Sequence, residues 1–342
     1  MKFPRVLLLV LVAVLPVAVS CHKDDDKTSD YFRGKIVLPM DPYVEAGFTK
    51  TFCVDTLSRL SRNEDGGIGY YIVMPNTTTR DTVKTENGSF TKKEFTVVAP
   101  DSLGTFKVSY SGFAKGYYDS TGSASFSVLK AGINNGGTLS NYDIKDDELI
   151  FEDERDGNKY YVTAVDTLLW MRQNLAWEGS GAAYMNCKAS SVSVIFGRYY
   201  SWKQAASACP EGWRLPTDKE WAAYAGKYVS GAQEGKDIAD VAGHFIENVY
   251  FNGERMWEYW RDVTIDNKAR FSAIPTGYAA FSDEGLIFDG KDSYAVFWTA
   301  DEKDGKGAYR YIYAEKPILH YGLADKSWFY ASVRCVKDIE EL

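Results

Sequence analysis

The sequence predicts an all-β N-terminal unit followed by an α+β unit, both carried behind an exported, lipid-anchored leader. Three observations carry this expectation. Between Gly34 and Leu129, short apolar runs alternate with Gly- and Asn-containing turn signals. Between residues 200 and 228 the apolar period changes to that of a helix. Ahead of both units, Lys2 and Arg5 precede the apolar run Val6–Val19.

The bulk numbers bound the answer. The 342 residues are enough for two domains with real cores. At 45% hydrophobic and 25% charged residues the chain is globular rather than disordered. Its net charge of −8 argues against a nucleic-acid partner, which would need a basic face. Aromatic residues reach 15%, so the rings either fill cores or, in part, face outward as platforms for a carbohydrate or protein.

Residues 1–20 read as a secretory signal whose apolar stretch is short for a membrane span. Its end, Ala18-Val19-Ser20-Cys21, resembles a lipobox with Ala where Leu is commoner, making Cys21 the expected lipidation site and first mature residue. Several acyl chains, at about 0.8 kcal/mol per buried methylene, would make the anchor to the membrane effectively permanent. His22-Lys23-Asp24-Asp25-Asp26 then opens a tether over residues 21–33. This acidic cluster resembles the surface-export signal of Bacteroidota lipoproteins, so the expected location is the outer membrane, facing outward.

Residues 34–130 hold about seven strand-like runs, among them "FTKTFCVDT", "GYYIVM" and "TFKVSYSGFA". In the last, Phe106, Val108 and Tyr110 alternate with Lys107 and Ser109, as one half-buried face requires. Turn signals stand at Asp65-Gly66-Gly67, Asn87-Gly88 and Thr121-Gly122. This spacing reads as an immunoglobulin-like β-sandwich serving as a spacer. A Gly/Asn-rich, then acidic, linker over 131–149 separates it from the second unit at 150–338, with residues 339–342 as a tail.

The second unit opens with a hairpin at Asp156-Gly157. Trp202, Ala205, Ala206 and Cys209 follow helical spacing until Pro210 and Gly212 stop the helix. Trp213–Leu215 form an extended link. Thr217 then caps a second helix with Glu220 three residues on, and Trp221, Tyr224, Ala225 and Tyr228 mark its apolar face. Asp218 and Glu220 sit where a helix start favours negative charge, which explains them without catalysis.

Five stretches in order, "DGNKYYVTAVDTLLWMRQNL", "FGRYYSWKQAASACPEGWRLPTDKEW", "PTGYAAF", "FWTAD" and "ASVRCVKD", resemble the Fibrobacter succinogenes major paralogous domain family. The resemblance implies a C-type-lectin-like fold, of the branch that includes formylglycine-generating enzymes, for the α+β unit. It also implies a disulfide between Cys209 on the first helix and Cys335 on a late strand, permitted by export. Cys53 and Cys187 are then expected to be buried thiols.

The motifs of catalysis are missing: there is no HExxH, CxxC, GxSxG or phosphate-cradling glycine loop. The histidines are His22, His244 and His320, and His244 reads as structural. The formylglycine-generating enzymes need a reactive cysteine pair that binds copper. With Cys209 and Cys335 in the bridge, this unit keeps only Cys187, a departure that sets catalysis aside. The Glu-Pro-Asn or Gln-Pro-Asp tripeptide of calcium-dependent lectins is absent, and Trp298 in "FWTAD" reads as core. Asp283, Glu284 and Asp289 are weak calcium candidates, with surface-turn carboxylates as the plainer reading; no other cofactor is implied.

The expected function is therefore non-catalytic binding of a glycan or a surface protein. Arg255, Trp257, Tyr259, Trp260 and Arg261, in "YFNGERMWEYWRD", are the candidate ligand-binding residues, since rings beside charged hydrogen-bonding groups suit such ligands. The competing reading places Trp257 and Trp260, three apart, on one buried face. "SWFY" (327–330) reads as core strand. The alternative function is a structural or adhesion component of a surface assembly. Thr56, Thr82, Ser102 and Thr167, each in an Asp-Thr/Ser-hydrophobic triplet, are glycosylation candidates by resemblance to the O-glycosylation sequon of Bacteroidota exported proteins.

Overall fold

The computed structural model describes nine strands between residues 30 and 129, then residues 149–339 apart from 188–189, 252–253 and 258–262. The signal, Cys21 and the expected linker up to residue 148 lie outside the described residues.

The N-terminal strands are β1 (Asp30–Tyr31), β2 (Tyr43–Glu45), β3 (Thr49–Cys53), β4 (Gly66–Val73), β5 (Thr78–Thr85), β6 (Glu94–Val98), β7 (Gly104–Ala114), β8 (Tyr117–Tyr118) and β9 (Ser120–Leu129). Five of them form a sheet in the order β2-β9-β7-β4-β5, while β3 pairs with β6 and β1 with β8. Two expected turns are corrected. Gly66 and Gly67 belong to β4, opposite Thr85 and Lys84, and Thr121-Gly122 lies inside β9, opposite Ser111 and Tyr110. Glycine accepts extended backbone as readily as a turn, so the reversal falls instead between the paired residues Gly112 and Ser120. The tether also ends earlier than expected, because Asp30–Tyr31 pairs with Tyr117–Tyr118.

The second unit is likewise β-rich. Its elements are β10 (Leu149–Glu152), β11 (Lys159–Val165), β12 (Leu168–Met171), α1 (Ser190–Phe196), β13 (Tyr200–Ser201), α2 (Trp202–Ala205), α3 (Asp218–Ala225), α4 (Ala242–Phe245), β14 (Tyr250–Phe251), β15 (Glu254–Arg255), β16 (Tyr278–Ser282), β17 (Gly285–Asp289), β18 (Tyr294–Lys303), β19 (Lys306–Tyr313), β20 (Leu319–Ala324), β21 (Phe329–Ala331) and β22 (Val336–Asp338). Three sheets organise them: β10-β11-β12-β22, β13-β21-β16-β17 and β18-β19-β20. The Asp156-Gly157 hairpin forms as expected, with Gly157 at φ 74° and its N–H donating to the Asp153 carbonyl at 2.7 Å.

The tryptophan-rich corner folds as a helix, an extended link and a second helix. The first helix, α2, is only one turn long and is capped by Ser201 with Gln204, and the chain continues as turns toward Cys209. In α3 the expected capping box is present: Glu220 N–H donates to Thr217 Oγ1 at 3.2 Å and Thr217 N–H to Glu220 Oε2 at 2.7 Å. Trp221, Tyr224 and Ala225 point inward and are fully buried. The bridge between Cys209 and Cys335 is formed, with Cα atoms 5.8 Å apart.

Aromatic residues build the core. Trp170, Trp221, Tyr224, Phe245, Phe271 and Phe297 pack ring against ring beneath α3. A second cluster holds Tyr160, Tyr200, Trp213, Trp298 and Cys335. Trp298 is buried as expected, and its indole N–H donates to the Tyr200 carbonyl at 2.7 Å. The β18-β19-β20 sheet lies between these clusters, sending Ile312 and Leu319 into the first while Tyr309 and Tyr311 border the second.

A third cluster joins the two units. Tyr43 of β2 and Leu129 of β9 are buried with Tyr184, Cys187, Ile195, Phe196 and Tyr199. The Tyr43 ring meets Phe196 edge-on at 5.7 Å, and the buried Cys187 thiol donates to the Tyr43 carbonyl at 3.5 Å. The N-terminal unit is thus docked on the second, where a separated spacer was expected. Burying these apolar side chains together removes them from water, which favours the docking.

His244 is held in a local ion-pair network. Its Nδ1 lies 2.8 Å from Asp266 Oδ1, and Lys268 Nζ lies 2.9 Å from Asp266 Oδ2. Burial alone would raise the Asp266 pKa, but the hydrogen bonds from His244 and Lys268 outweigh it and bring the carboxyl down to about 2. A depressed folded-state pKa means stability that is present above the unfolded value and lost as pH falls through the folded one. Stability should therefore drop between about pH 4 and pH 2, from the reference carboxylate value to the folded one. In Asp266→Asn that part of the acid transition should be missing from urea melts taken across this range.

Candidate functional site

The structure takes Trp257 out of the candidate ligand-binding set. Trp257 is 1% exposed, packed in the first core cluster with its indole N–H donating to the Ala273 carbonyl at 3.3 Å. The expectation that it serves as a ligand platform is therefore corrected: its faces are covered by core residues. Arg255 is exposed on β15, paired with Tyr250. Tyr259, Trp260 and Arg261 lie outside the described residues.

The calcium candidates do not converge. Asp283 and Glu284 form the turn between β16 and β17, while Asp289 stands at the far end of β17 opposite Tyr278. Five residues of strand, at about 3.4 Å each, separate Glu284 from Asp289 by about 17 Å, whereas calcium ligands lie about 2.3–2.6 Å from the ion. Among the described residues no group of three or more His, Cys, Asp or Glu side chains is placed to hold a metal. Thr167 is exposed in the β11–β12 turn and Thr82 lies in β5; Thr56 and Ser102 lie outside the described residues.

The exposed rings are elsewhere. Trp328, expected in a core strand, is instead 61% exposed, and Phe281 beside it is 51% exposed. Their rings sit edge to face with centroids 6.5 Å apart, and Phe281 N–H donates to the Trp328 carbonyl at 2.7 Å. Trp328 ends a turn built on Asp325, whose Oδ1 accepts the N–H groups of Ser327 at 2.8 Å and Trp328 at 2.9 Å. Those backbone hydrogen bonds hold the Asp325 carboxyl below its ordinary pKa. The same turn lays Lys326 Nζ over the Trp202 ring, 4.4 Å from its centre. Such a turn fixes a large ring in solvent at little entropic cost on binding.

A tyrosine surface adjoins this patch. Tyr309, Tyr311 and Tyr313 alternate along β19 and are half-buried, while Arg310 and Ile312 between them face the other way. Tyr313 stacks on Tyr294 at 4.5 Å, and Tyr311 stacks on His320 at 4.6 Å. Tyr309 packs on Phe329, the residue after Trp328, at 5.1 Å. Its ring lies so close over Gly322 that a Cβ there would come within 2.3 Å of it. Burial raises the pKa of Tyr309 and Tyr311, keeping both phenols protonated near neutrality.

Beside Trp202 the corner motif floors an open cleft of about 360 Å³, lined by Trp202, Ala206, Arg214, Leu215, Thr217 and Glu220 with Ala300. Arg214 is already engaged, by Glu220 at 2.7 Å and Asp338 at 3.1 Å. Desolvation opposes the charge on Glu220, but the Arg214 and Thr217 hydrogen bonds prevail and lower its pKa. The cleft therefore offers a mostly apolar wall whose charged groups, Arg214 and Glu220, neutralise each other.

Sequence reasoning missed two features. The alternation in "AYRYIY" was a legible signal for the tyrosine face. For Trp328 the local signal is Asp325 three residues earlier, which caps the turn that carries the ring.

These features define a disulfide-bridged, β-rich domain that presents aromatic rings at its surface. Residues 163–337, about half of the chain, match the Fibrobacter succinogenes major domain, and the chain belongs to that family. No curated protein matches the chain. Among solved structures, the sporulation control protein Spo0M from Bacillus subtilis is similar at 10% identity and a TM-score of 0.18, over 41% of this chain and 78% of that one. A likeness of that size carries no argument about fold or function. Among the described residues, no helix is long and apolar enough to cross a membrane.

Proposed function

We propose that the protein is a cell-surface lipoprotein, anchored in the outer membrane through Cys21, whose C-type-lectin-like second domain binds a glycan or protein ligand without catalysis. The ligand site is the aromatic patch of Trp328 and Phe281. Two large rings held in solvent by a backbone turn are the observation that carries this reading. Apolar ring faces beside hydrogen-bonding groups suit a pyranose face or an aromatic-rich peptide. The lipobox, the acidic residues behind it and the net charge of −8 support the location and argue against nucleic acid. On this reading the N-terminal unit is an immunoglobulin-like sandwich that carries the binding domain as a docked base.

The test is a glycan-array and calorimetric screen of the full chain in detergent, against Trp328→Ala and Phe281→Ala. Both rings are exposed, so circular dichroism should show folded variants. Loss of one stacked ring should weaken binding by about tenfold, equivalent to about 1.4 kcal/mol. Asp325→Ala, which releases the turn, should weaken it as well. Glycan binding that is unchanged in Trp328→Ala would remove the patch from the site, and absence of any glycan ligand would turn the reading to protein contacts.

A further inference from the structure

The β13-β21-β16-β17 sheet ends in a strand, β17, whose outer edge has no strand partner among the described residues. Phe281 N–H points to β21, since it donates to Trp328. In an antiparallel ladder alternate residues face alternate neighbours, so Ala280 and Ser282 are the β16 residues that face β17. Their partners are Ile287 and Gly285. Leu286 and Phe288 therefore direct their N–H and C=O groups outward, away from β16. Among the described residues nothing pairs with them.

The edge of the neighbouring three-stranded sheet is treated differently. The outer side of β20 is closed: Leu319 exchanges both backbone hydrogen bonds with Ile238, and the Asp237 carboxylate accepts from Tyr321 N–H. The strand β17, Gly-Leu-Ile-Phe-Asp, carries no lysine, proline or bulge, the usual devices that keep an edge from pairing. Ile287 is 53% exposed at its centre.

We propose that β17 is a dimer interface, pairing antiparallel with β17 of a second copy of this chain about a two-fold axis at Ile287. The strand is complementary to itself in this register. Leu286 of each copy opposes Phe288 of the other, so every outward N–H and C=O meets a partner, giving four hydrogen bonds. Ile287 opposes Ile287 in the close non-hydrogen-bonded position, with Cα atoms about 4.5 Å apart. Asp289 of each copy lies opposite Gly285 of the other, so within the strand like charges do not meet. The two sheets become one of eight strands, and the pairing is isologous, closing at two copies. This interface does not depend on the aromatic site, whose rings stand on β16 and beside β21.

Sedimentation velocity of the full chain in detergent, with bound detergent accounted for, should show a reversible monomer–dimer equilibrium. Ile287→Lys, which sets two like charges opposite each other, should weaken it by about tenfold or more while circular dichroism stays unchanged. Ile287→Cys, under a mild oxidant, should give a covalent dimer on non-reducing gels. Ala280→Cys should not, because the two copies of β16 would lie about 14 Å apart at about 4.8 Å per strand. The proposal is overturned by a monomer at all concentrations, by a dimer indifferent to Ile287→Lys, or by equal crosslinking at positions 280 and 287.

Discussion

Asp218→Asn should lower the unfolding free energy by about 3–5 kcal/mol, because it strips the partner from a buried guanidinium. Arg310, on β19, has no exposed surface, and Asp218 is 1% exposed. Arg310 grips both carboxylate oxygens, with Nη2 2.9 Å from Oδ2, and its Nη1 donates to the Lys236 carbonyl. Asp218 Oδ2 also accepts Gly235 N–H at 2.6 Å. The pair therefore fastens three things together: the start of α3, the middle of β19 and the loop at 233–236. Urea unfolding of the variant should show the earlier midpoint. The double variant Asp218→Asn/Arg310→Met should recover much of the loss, since it leaves no unpaired charge inside. A single variant as stable as wild type would show that water reaches the guanidinium.

Replacing Cys209 and Cys335 together by Ser should have a comparable effect. The bridge spans 126 residues of sequence, and closing a loop of that length stabilises by about 4–5 kcal/mol on the chain-entropy model. The fold should survive, because the segment around Cys335 is also held by backbone bonds. Met171 N–H donates to the Cys335 carbonyl at 3.0 Å, and β22 pairs with β12. A thermal melt with and without reductant would show the difference in wild type and none in the double variant. An unchanged melting temperature would mean that residual structure already confines the unfolded chain.

Local patterns carried much of this protein. The capping box of Thr217 and Glu220, the inward face of Trp221 and Tyr224, the Asp156-Gly157 hairpin and the alternating strands each depend on neighbours within a few residues, so their periodicity is legible. The Cys209–Cys335 pairing came through the family's ordered motifs, because nothing in a cysteine's surroundings names a partner 126 residues away. Asp218 was explained at the level of sequence by the helix start alone. Its real partner, Arg310, is reached only when β19 folds back beside α3.

The site followed the same division. Composition and motif content determined that rings abound and that HExxH, CxxC and GxSxG are not written in the chain. Which rings face water was decided by tertiary packing. Trp257 fills the space over Ala273, while Trp328 is turned outward by Asp325. Exposure is set by what the rest of the chain brings to each ring. The edge of β17 has the same origin: only the order of strands in the sheet leaves the backbone of Leu286 and Phe288 without a strand partner among the described residues.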